Sequence, residues 1–143
     1  MPAIKSINQT LKEISELGDT KKITEELKKH AGNIAIRTIL KYVFDPDIKF
    51  LLPEGMPPIK EIPIEADGAA LYREIRKLYL FIAPHPQIKT VDINKIKRET
   101  LFIDLLESIA KDDRELLVAI KDGNFPYKTI NKKIVKKVMP EIF

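Results

Sequence analysis

The feature that most constrains the fold is the spacing of the apolar residues. In six segments they recur at intervals of three and four, which is the period of one face of an α-helix. The first segment shows this stripe with Ile4, Ile7, Leu11, Ile14 and Leu17. No segment sustains the alternation of apolar and polar residues that a half-buried strand requires. The sequence therefore predicts an all-α fold.

Turn and capping residues divide the chain into six or seven short helices. Gly18 is placed to end the first helix, Asp19 or Thr20 to cap the second, and Asn33 to cap the third. Asp112 and Asp113 are predicted to cap a short helix over 115–121 that stops at Gly123, and Thr129 is predicted to cap the last helix.

Two further segments return to helical spacing. In the segment 69–83 the residues predicted to face the core are Leu71, Ile75, Leu78, Tyr79 and Ile82. The longest helix is predicted over 93–110, with an inward stripe of Ile96, Thr100, Ile103, Leu106 and either Leu105 or Ile109. Prolines end the first of these segments at Pro84 and Pro86.

The segment from 45 to 66 is of a different kind. Its prolines forbid a helix, and they are Pro46, Pro53, Pro57, Pro58 and Pro63. Its apolar residues indicate packing, and they are Ile48, Phe50, Leu51, Leu52, Ile59, Ile62 and Ile64. We therefore predict an ordered, extended strap lying over the helices, within a single domain that spans 1–143.

Composition excludes several classes of site. The chain has no cysteine, which rules out disulfides and thiolate metal sites. Its longest apolar runs, such as the one from Leu78 to Ala83, are far shorter than the roughly 20 residues of a membrane span, and the first residues lack a signal-peptide core. We expect a cytoplasmic protein that contacts no membrane.

No constellation of residues points to catalysis, a metal or a cofactor. His30 and His85 are far apart in sequence, and each is predicted to be a surface residue near a helix end or turn. The acidic pairs are explained by helix capping and surface pairing, and they are Glu25/Glu26, Asp45/Asp47 and Asp112/Asp113. We expect a protein that is not an enzyme.

The basic charge is concentrated at the C-terminal end. From Lys121 to Phe143 there are six lysines and two acids, a net of +4 that equals the charge of the whole chain. A turn containing Gly123 and Asn124 precedes the last predicted helix, which carries most of these lysines. The turn is expected to offer outward N–H groups, an arrangement that suits phosphate. The alternative is an ordinary solvated helix whose lysines serve solubility.

Several segments carry a family resemblance. They are the opening stretch from Ile4 to Lys22, the third helix from Ile36 to Phe44, the proline-bearing strap, the motif Asp112-Asp-Arg-Glu-Leu-Leu, and the stretch from Thr129 to Ile142. In pattern and order they resemble the N-terminal all-helical DNA-binding domain of ATP-dependent DNA ligases, above all its compact form in T-even phage ligase. The chain is also similar to small proteins of T-even-like tailed phages that carry Phe44-Asp-Pro-Asp-Ile-Lys-Phe-Leu-Leu-Pro-Glu-Gly and Arg76-Lys-Leu-Tyr-Leu-Phe.

The resemblance implies non-catalytic, sequence-independent binding of duplex DNA through its backbone, in phage replication, repair or host takeover. The contact residues it implies are Lys21, Lys22, Asn124, Lys128, Thr129, Asn131, Lys132 and Lys133. The sequence contains no nucleotidyl-transferase or OB domain, so we expect no ligation, and Pro126 removes one N–H donor from the late turn. The alternative function is a protein-interaction module that binds a replication protein, such as a sliding clamp, or a host factor.

Overall fold

The computed structural model describes residues 5–60 and 68–143. These residues form seven α-helices: α1 Ile7–Ser15, α2 Thr20–Lys29, α3 Ile34–Phe44, α4 Ala70–Glu74, α5 Lys95–Glu107, α6 Lys111–Lys121 and α7 Lys132–Val138. There are also two 3-10 helices among the described residues: Ile75–Phe81 follows α4, and Pro140–Ile142 follows α7. In the described residues the sole β feature is an isolated bridge between Phe50 and Ile82. The all-α prediction is confirmed.

Local capping residues act as the sequence predicts in the N-terminal half. Gly18 has a φ of 77° and separates α1 from α2, where only glycine enters the left-handed region without strain. Asp19 Oδ1 accepts the N–H of Lys21 at 2.8 Å at the start of α2. Asn33 Oδ1 accepts the N–H of Ala35 at 3.0 Å at the start of α3.

One apolar core joins the helices of the described residues. Helix α1 packs against α2 and α6, and α2 packs against α7, so both ends of the chain share the core. The largest fully buried side chains come from helices and connections alike, and they include Ile7, Leu11, Leu27, Ile36, Leu40, Leu71, Phe81 and Ile109. No helix within the described residues is long and apolar enough to cross a membrane.

The strap runs against the helices over its described part. The N–H of Leu51 donates to the carbonyl of Phe81 and the N–H of Ala83 donates to that of Lys49, both at 2.8 Å. Ile48, Phe50, Leu52 and Ile59 pack against the core, whereas Leu51 is 40% exposed and does not. The predicted packing is thus confirmed except at Leu51. Ile62, Pro63 and Ile64 lie outside the described residues.

A buried ion pair holds the tip of the strap. The Lys121 ammonium donates to the carbonyl of Pro53 at 2.7 Å and contacts Asp122 Oδ1 at 2.5 Å. The Asp122 carboxylate also accepts the N–H of Gly55, at 3.0 Å from Oδ2. The Lys121 side chain is only 2% exposed, so the end of α6 and the strap form one unit.

The segment predicted as a helix over 69–83 departs from α-helical geometry after one turn. Helix α4 ends at Glu74, and a 3-10 helix with three residues per turn continues to Phe81. Ile75, Leu78 and Phe81 are therefore buried at intervals of three. Tyr79 was predicted to face the core from α-helical spacing, and that prediction is wrong because Tyr79 is exposed on this tighter helix.

Helix α5 is rotated relative to the prediction. Its buried residues are Arg98, Phe102, Leu105 and Leu106. Ile96 is 76% exposed and Thr100 is also exposed, so the predicted inward stripe is wrong at both positions. It also fails at Ile103, which is half-buried and lies outside the apolar core. Two contacts fix the rotation: Arg98 Nε donates to the carbonyl of Leu80 at 3.2 Å, and the rings of Phe102 and Phe81 meet edge to face at 5.2 Å.

Neither Asp112 nor Asp113 caps its own helix as predicted, because both lie inside its first turn. Helix α6 begins at Lys111 after Ala110, which makes no side-chain capping bond. Asp113 lies in the first turn, is fully buried, and accepts the N–H of Asn8 at 2.9 Å. It therefore caps α1 from a distant part of the chain.

Candidate nucleic-acid interface

The C-terminal helix presents lysines on its solvent side. Ile134 and Val135 face the core, and the remaining arc of α7 carries lysines at the first, second, fifth and sixth positions. We call these residues together with Lys128 the C-terminal lysine face: Lys128, Lys132, Lys133, Lys136 and Lys137. All five are exposed, and within the part of the chain that the structure describes none forms an ion pair.

The acids of the same segment are engaged elsewhere. Asp122 pairs with Lys121 and accepts the N–H of Gly55 in the strap. Glu141 Oε1 lies 2.7 Å from Nη1 of Arg37 on α3. The five lysines of the face are therefore not neutralised by the two acids that accompany them in sequence. The positive charge of the C-terminal segment is directed to solvent.

The cap of α7 is Asn131, which corrects the prediction for Thr129. Asn131 Oδ1 accepts the N–H of Ile134 at 3.0 Å. Thr129 instead donates its hydroxyl to the carbonyl of Ser15 at 2.8 Å, and so ties the segment before α7 to the end of α1. Thr129 thus positions the lysine-bearing segment, and its hydroxyl is already used inside the molecule.

The late turn offers fewer outward N–H groups than the sequence suggests. Gly123 has a φ of 76° and ends α6 as predicted. Its N–H donates to the carbonyl of Ile120, and that of Asn124 donates to Ala119 at 2.7 Å. These donors complete the helix end, so the expectation that they point outward for phosphate is wrong. The lysine side chains of the face are exposed donors that an anion could reach.

A small cleft brings part of the predicted site together. Lys128, Asn131 and Lys132 line it with Gly123, and its volume is about 240 Å³. Its other walls are apolar: Val43, Phe44, Ile120, Phe125 and Ile130. Phe125 packs edge to face on Phe44 and Tyr127, as expected for aromatic residues that stabilise the turn. The Lys132 ammonium lies 5.7 Å from the centre of the Phe143 ring.

The other predicted contacts lie at the margins of this face. Lys21 and Lys22 are exposed in the first turn of α2, the helix that packs against α7. Their helix also carries Glu25 and Glu26, so its surface has mixed charge. Asn124 is exposed beside Gly123, but it does not line the cleft. The structure groups Lys128, Asn131 and Lys132 around the cleft and places Lys133 beside them on α7, whereas Lys21, Lys22 and Asn124 lie on neighbouring elements.

Residues 10–127 match the model of DUF6433, a family of unknown function. The chain belongs to this family. No curated protein matches the chain, and no solved structure matches it either. The matched region therefore begins inside α1, covers α2 to α6 and the strap, and ends before Lys128, so the C-terminal lysine face lies outside it.

A second polar cluster joins α3 to the turn after Pro84. Asp45, Asp47 and His85 place one ligand atom each within 4.8 Å of one another, which is close enough to suggest a cation site. The His85 side chain is only 1% exposed, so the prediction of a surface histidine is wrong there. The pair Asp45/Asp47 is visible in the sequence, but His85 is forty positions away and joins it only through tertiary packing.

The hydrogen bonds of His85 argue against a metal at this cluster. Its Nδ1 accepts the N–H groups of Gln87 and Ile88 at 3.0 and 3.1 Å. The ring proton therefore resides on Nε2, which donates to Asp45 Oδ2 at 2.8 Å. A neutral imidazole that bound a metal through Nε2 needs its proton on Nδ1, where two donors already point. The cluster instead has a structural role: its hydrogen bonds hold the turn after Pro84 against the end of α3.

Electrostatics at Asp45 agree with this role. Burial opposes ionisation, but the Asp47 N–H, the Lys41 ammonium at 3.0 Å and the His85 ring together hold the pKa of Asp45 below its usual value. The Lys41 ammonium also donates to the carbonyl of Ile142 at 2.7 Å. Lys41 thus already supplies the cation that this carboxylate requires, and it ties α3 to the C-terminal 3-10 helix.

A third polar cluster lies between α1 and α6. Asp113 accepts the N–H of Asn8, the Ser6 hydroxyl donates to Asp112, and the Tyr127 hydroxyl donates to Asn8 Oδ1. Asp113 Oδ2 is buried without a hydrogen-bond partner. Because this carboxyl is closed to solvent, the cluster offers no open cleft for a substrate. It links the start of α1 to the segment that leads into the lysine face.

Proposed function

We propose that the C-terminal lysine face binds duplex DNA through the phosphate backbone, without catalysis and without reading the sequence. The observation that carries this proposal is the set of five exposed lysines with no acidic partner among the described residues, next to two acids that pair elsewhere. A seven-residue helix is about 10 Å long, so its lysines are dense enough to meet several phosphates of a duplex.

The type of residue favours contact with the backbone over contact with bases. Lysine is a flexible point charge, whereas base reading relies on paired donors such as those of arginine, asparagine or glutamine. The amide oxygen of Asn131 is already bound to the helix that it caps. The resemblance to ligase DNA-binding domains supports the same function and suggests a setting in phage replication, repair or host takeover.

The direct test is fluorescence anisotropy with short nicked, intact and single-stranded DNA probes at low salt. We expect micromolar binding to duplex DNA and little dependence on its sequence. The variant K128A/K132A/K133A should bind at least about tenfold more weakly, because three of five candidate phosphate contacts are lost.

The matched control is K49A/K89A/K97A, which removes three exposed lysines that lie outside the face and form no ion pair within the described residues. It should retain affinity within about twofold, since its lysines are not proposed contacts. Equal losses in the two variants would show that only net charge matters. Absence of binding to every probe would contradict the DNA-binding proposal and favour the alternative, a protein-interaction module. An apolar groove elsewhere on the molecule, described below, is consistent with that alternative.

A further inference from the structure

An apolar groove lies between the strap and α5. Its volume is about 410 Å³, within the range of sites that bind ligands or peptide side chains. The apolar walls are formed by Leu52, Met56, Pro57, Pro58, Phe102 and Ile103. None of the five residues of the C-terminal lysine face lines it. We call it the strap groove.

Exposed apolar side chains extend the groove surface. Met56 in its wall is 47% exposed, and Ile96 on α5 is 76% exposed. Ile96 and Ile103 are seven residues apart, which is about two helical turns, so they share one face of α5. Leu51, 40% exposed, lines an adjoining hollow with Leu52 and Pro53. Exposed apolar side chains grouped around a groove are typical of a protein-binding surface.

The charge at the groove is opposite to that of the whole molecule. Glu54 and Glu99 line it, and within the described residues neither has a cationic partner. The lining cation Lys121 is buried and already bound to Pro53 and Asp122. Lys95 lies in the adjoining hollow, beyond Leu52 and Pro53. The chain has a net charge of +4, yet this groove presents two carboxylates that have no cationic partner in the part of the chain that the structure describes.

The strap groove is also held in an open shape before any partner arrives. The Lys121–Asp122 pair fixes the strap at Pro53 and Gly55, and the N–H of Lys60 donates to Glu107 Oε2 on α5 at 2.7 Å. The strap is thus attached at both ends of the groove. A wall that is already ordered lowers the entropic cost of binding.

We propose that the strap groove binds a short peptide segment of a protein partner, in which apolar side chains are flanked by lysine or arginine. The apolar side chains enter between the strap and α5, and a cationic side chain pairs with Glu54 or Glu99. Electrostatic complementarity of this kind selects the partner, while the apolar contact supplies affinity. This site is independent of the lysine face and does not rest on DNA binding.

The experiment uses the full chain and three synthetic peptides titrated by calorimetry and by amide NMR shifts. The first peptide contains leucine and lysine, the second replaces lysine by glutamate, and the third replaces leucine by serine. We expect the leucine–lysine peptide to bind at least about tenfold more tightly than either of the others. The shifted amides should map to the strap and to α5.

A charge-reversed variant sharpens the test. E54K/E99K should reverse the preference, so that the leucine–glutamate peptide binds more tightly than the leucine–lysine peptide. I96D should weaken binding of all apolar peptides by about tenfold or more, since it places a charge on the apolar surface. The matched control E25Q/D104N removes two exposed carboxylates outside the groove and should leave binding unchanged.

Three results would overturn the proposal. The first is equal affinity for the lysine and glutamate peptides. The second is equal loss of binding in the control and the groove variants. The third is a concentration-dependent dimer in sedimentation that I96D abolishes, since that outcome assigns the groove to a second copy of the chain.

Discussion

At the scale of single residues, Asp113 stands out because an ionisable carboxyl is rarely fully buried. Its carboxyl is fully buried, and one oxygen has no hydrogen-bond partner. Burial raises the pKa of Asp113 to about 7, the charge of Asp112 adds to this effect, and the N–H groups of Asn8 and Ile7 oppose it. Burial raises the pKa values of the Tyr72 and Tyr127 hydroxyls, and the charge of Asp113 acts on both in the same direction to a smaller extent. The neutral acid is therefore favoured in the folded state.

This setting predicts that Asp113 destabilises the fold as the pH rises. Its pKa is about 7 when folded and about 4 when unfolded, so between these values the folded state binds more protons. Its contribution is full below pH 4 and is lost as the pH rises through 7, by up to about 1.4 kcal/mol per pH unit. D113N should remove this dependence and should be more stable than the wild type at pH 7.5.

The measurement is the free energy of unfolding of both proteins from pH 5 to 8 by urea denaturation. Asp45 has a lowered pKa, so its contribution is present above pH 4 and does not change in this window. D113A serves as the control, because it leaves the Asn8 N–H without its acceptor and should be destabilised at every pH. A difference between wild type and D113N that stays constant with pH would contradict the account.

At the scale of elements, the strap is held by a charge pair with little access to water. Asp122 neutralises Lys121, whose side chain is 2% exposed, and it also accepts the N–H of Gly55. D122A should lower the free energy of unfolding by about 3 kcal/mol, because a buried ammonium is left without its counterion. The amide of Gly55 should also exchange faster with solvent.

The double variant K121M/D122L is the control for this element. Replacing both charges by apolar side chains removes the unpaired ammonium and should recover most of the stability lost in D122A. Urea denaturation compares the three proteins, and hydrogen exchange follows Gly55. A double variant as unstable as D122A would mean that the lost contacts to the strap, and not the buried charge, dominate.

The sequence predicts those elements whose determinants are local. Gly18, Asp19, Asn33 and Gly123 act at their own helix ends, so capping chemistry alone locates these ends. The helical period likewise predicts the all-α class. The lysines of α7 are also exposed as predicted. The pair Ile134 and Val135 faces the core, so the lysine pairs on either side of it face solvent.

Features that depend on tertiary contacts cannot be predicted from local sequence patterns. The rotation of α5 follows from the bond of Arg98 to Leu80 and the Phe102–Phe81 contact, and an arginine is not expected to face a core. Asp113 caps a helix more than a hundred positions away. The buried side chain of His85 contacts Asp45, which follows the last residue of α3. A single sequence carries no local signal for any of these pairings.

At the scale of the whole molecule, two separate surfaces carry opposite charges. Within the described residues, the C-terminal lysine face carries five exposed lysines without acidic partners, and the strap groove carries two carboxylates without cationic partners around apolar walls. A polyanion fits the first surface and a cationic apolar peptide fits the second. If both proposals hold, a domain with these two surfaces would bring a protein partner to DNA.

The most direct test of the DNA-binding proposal is the salt dependence of affinity for an intact duplex, measured for the wild type and for K128A/K132A/K133A. If about five lysines meet phosphates, log affinity should fall against log salt with a slope of about −4 to −5. The triple variant should lower the magnitude of that slope by roughly two to three, with unchanged helical circular dichroism. A slope that is the same in both proteins, or no binding by the wild type at low salt, would contradict the proposal that this face binds DNA.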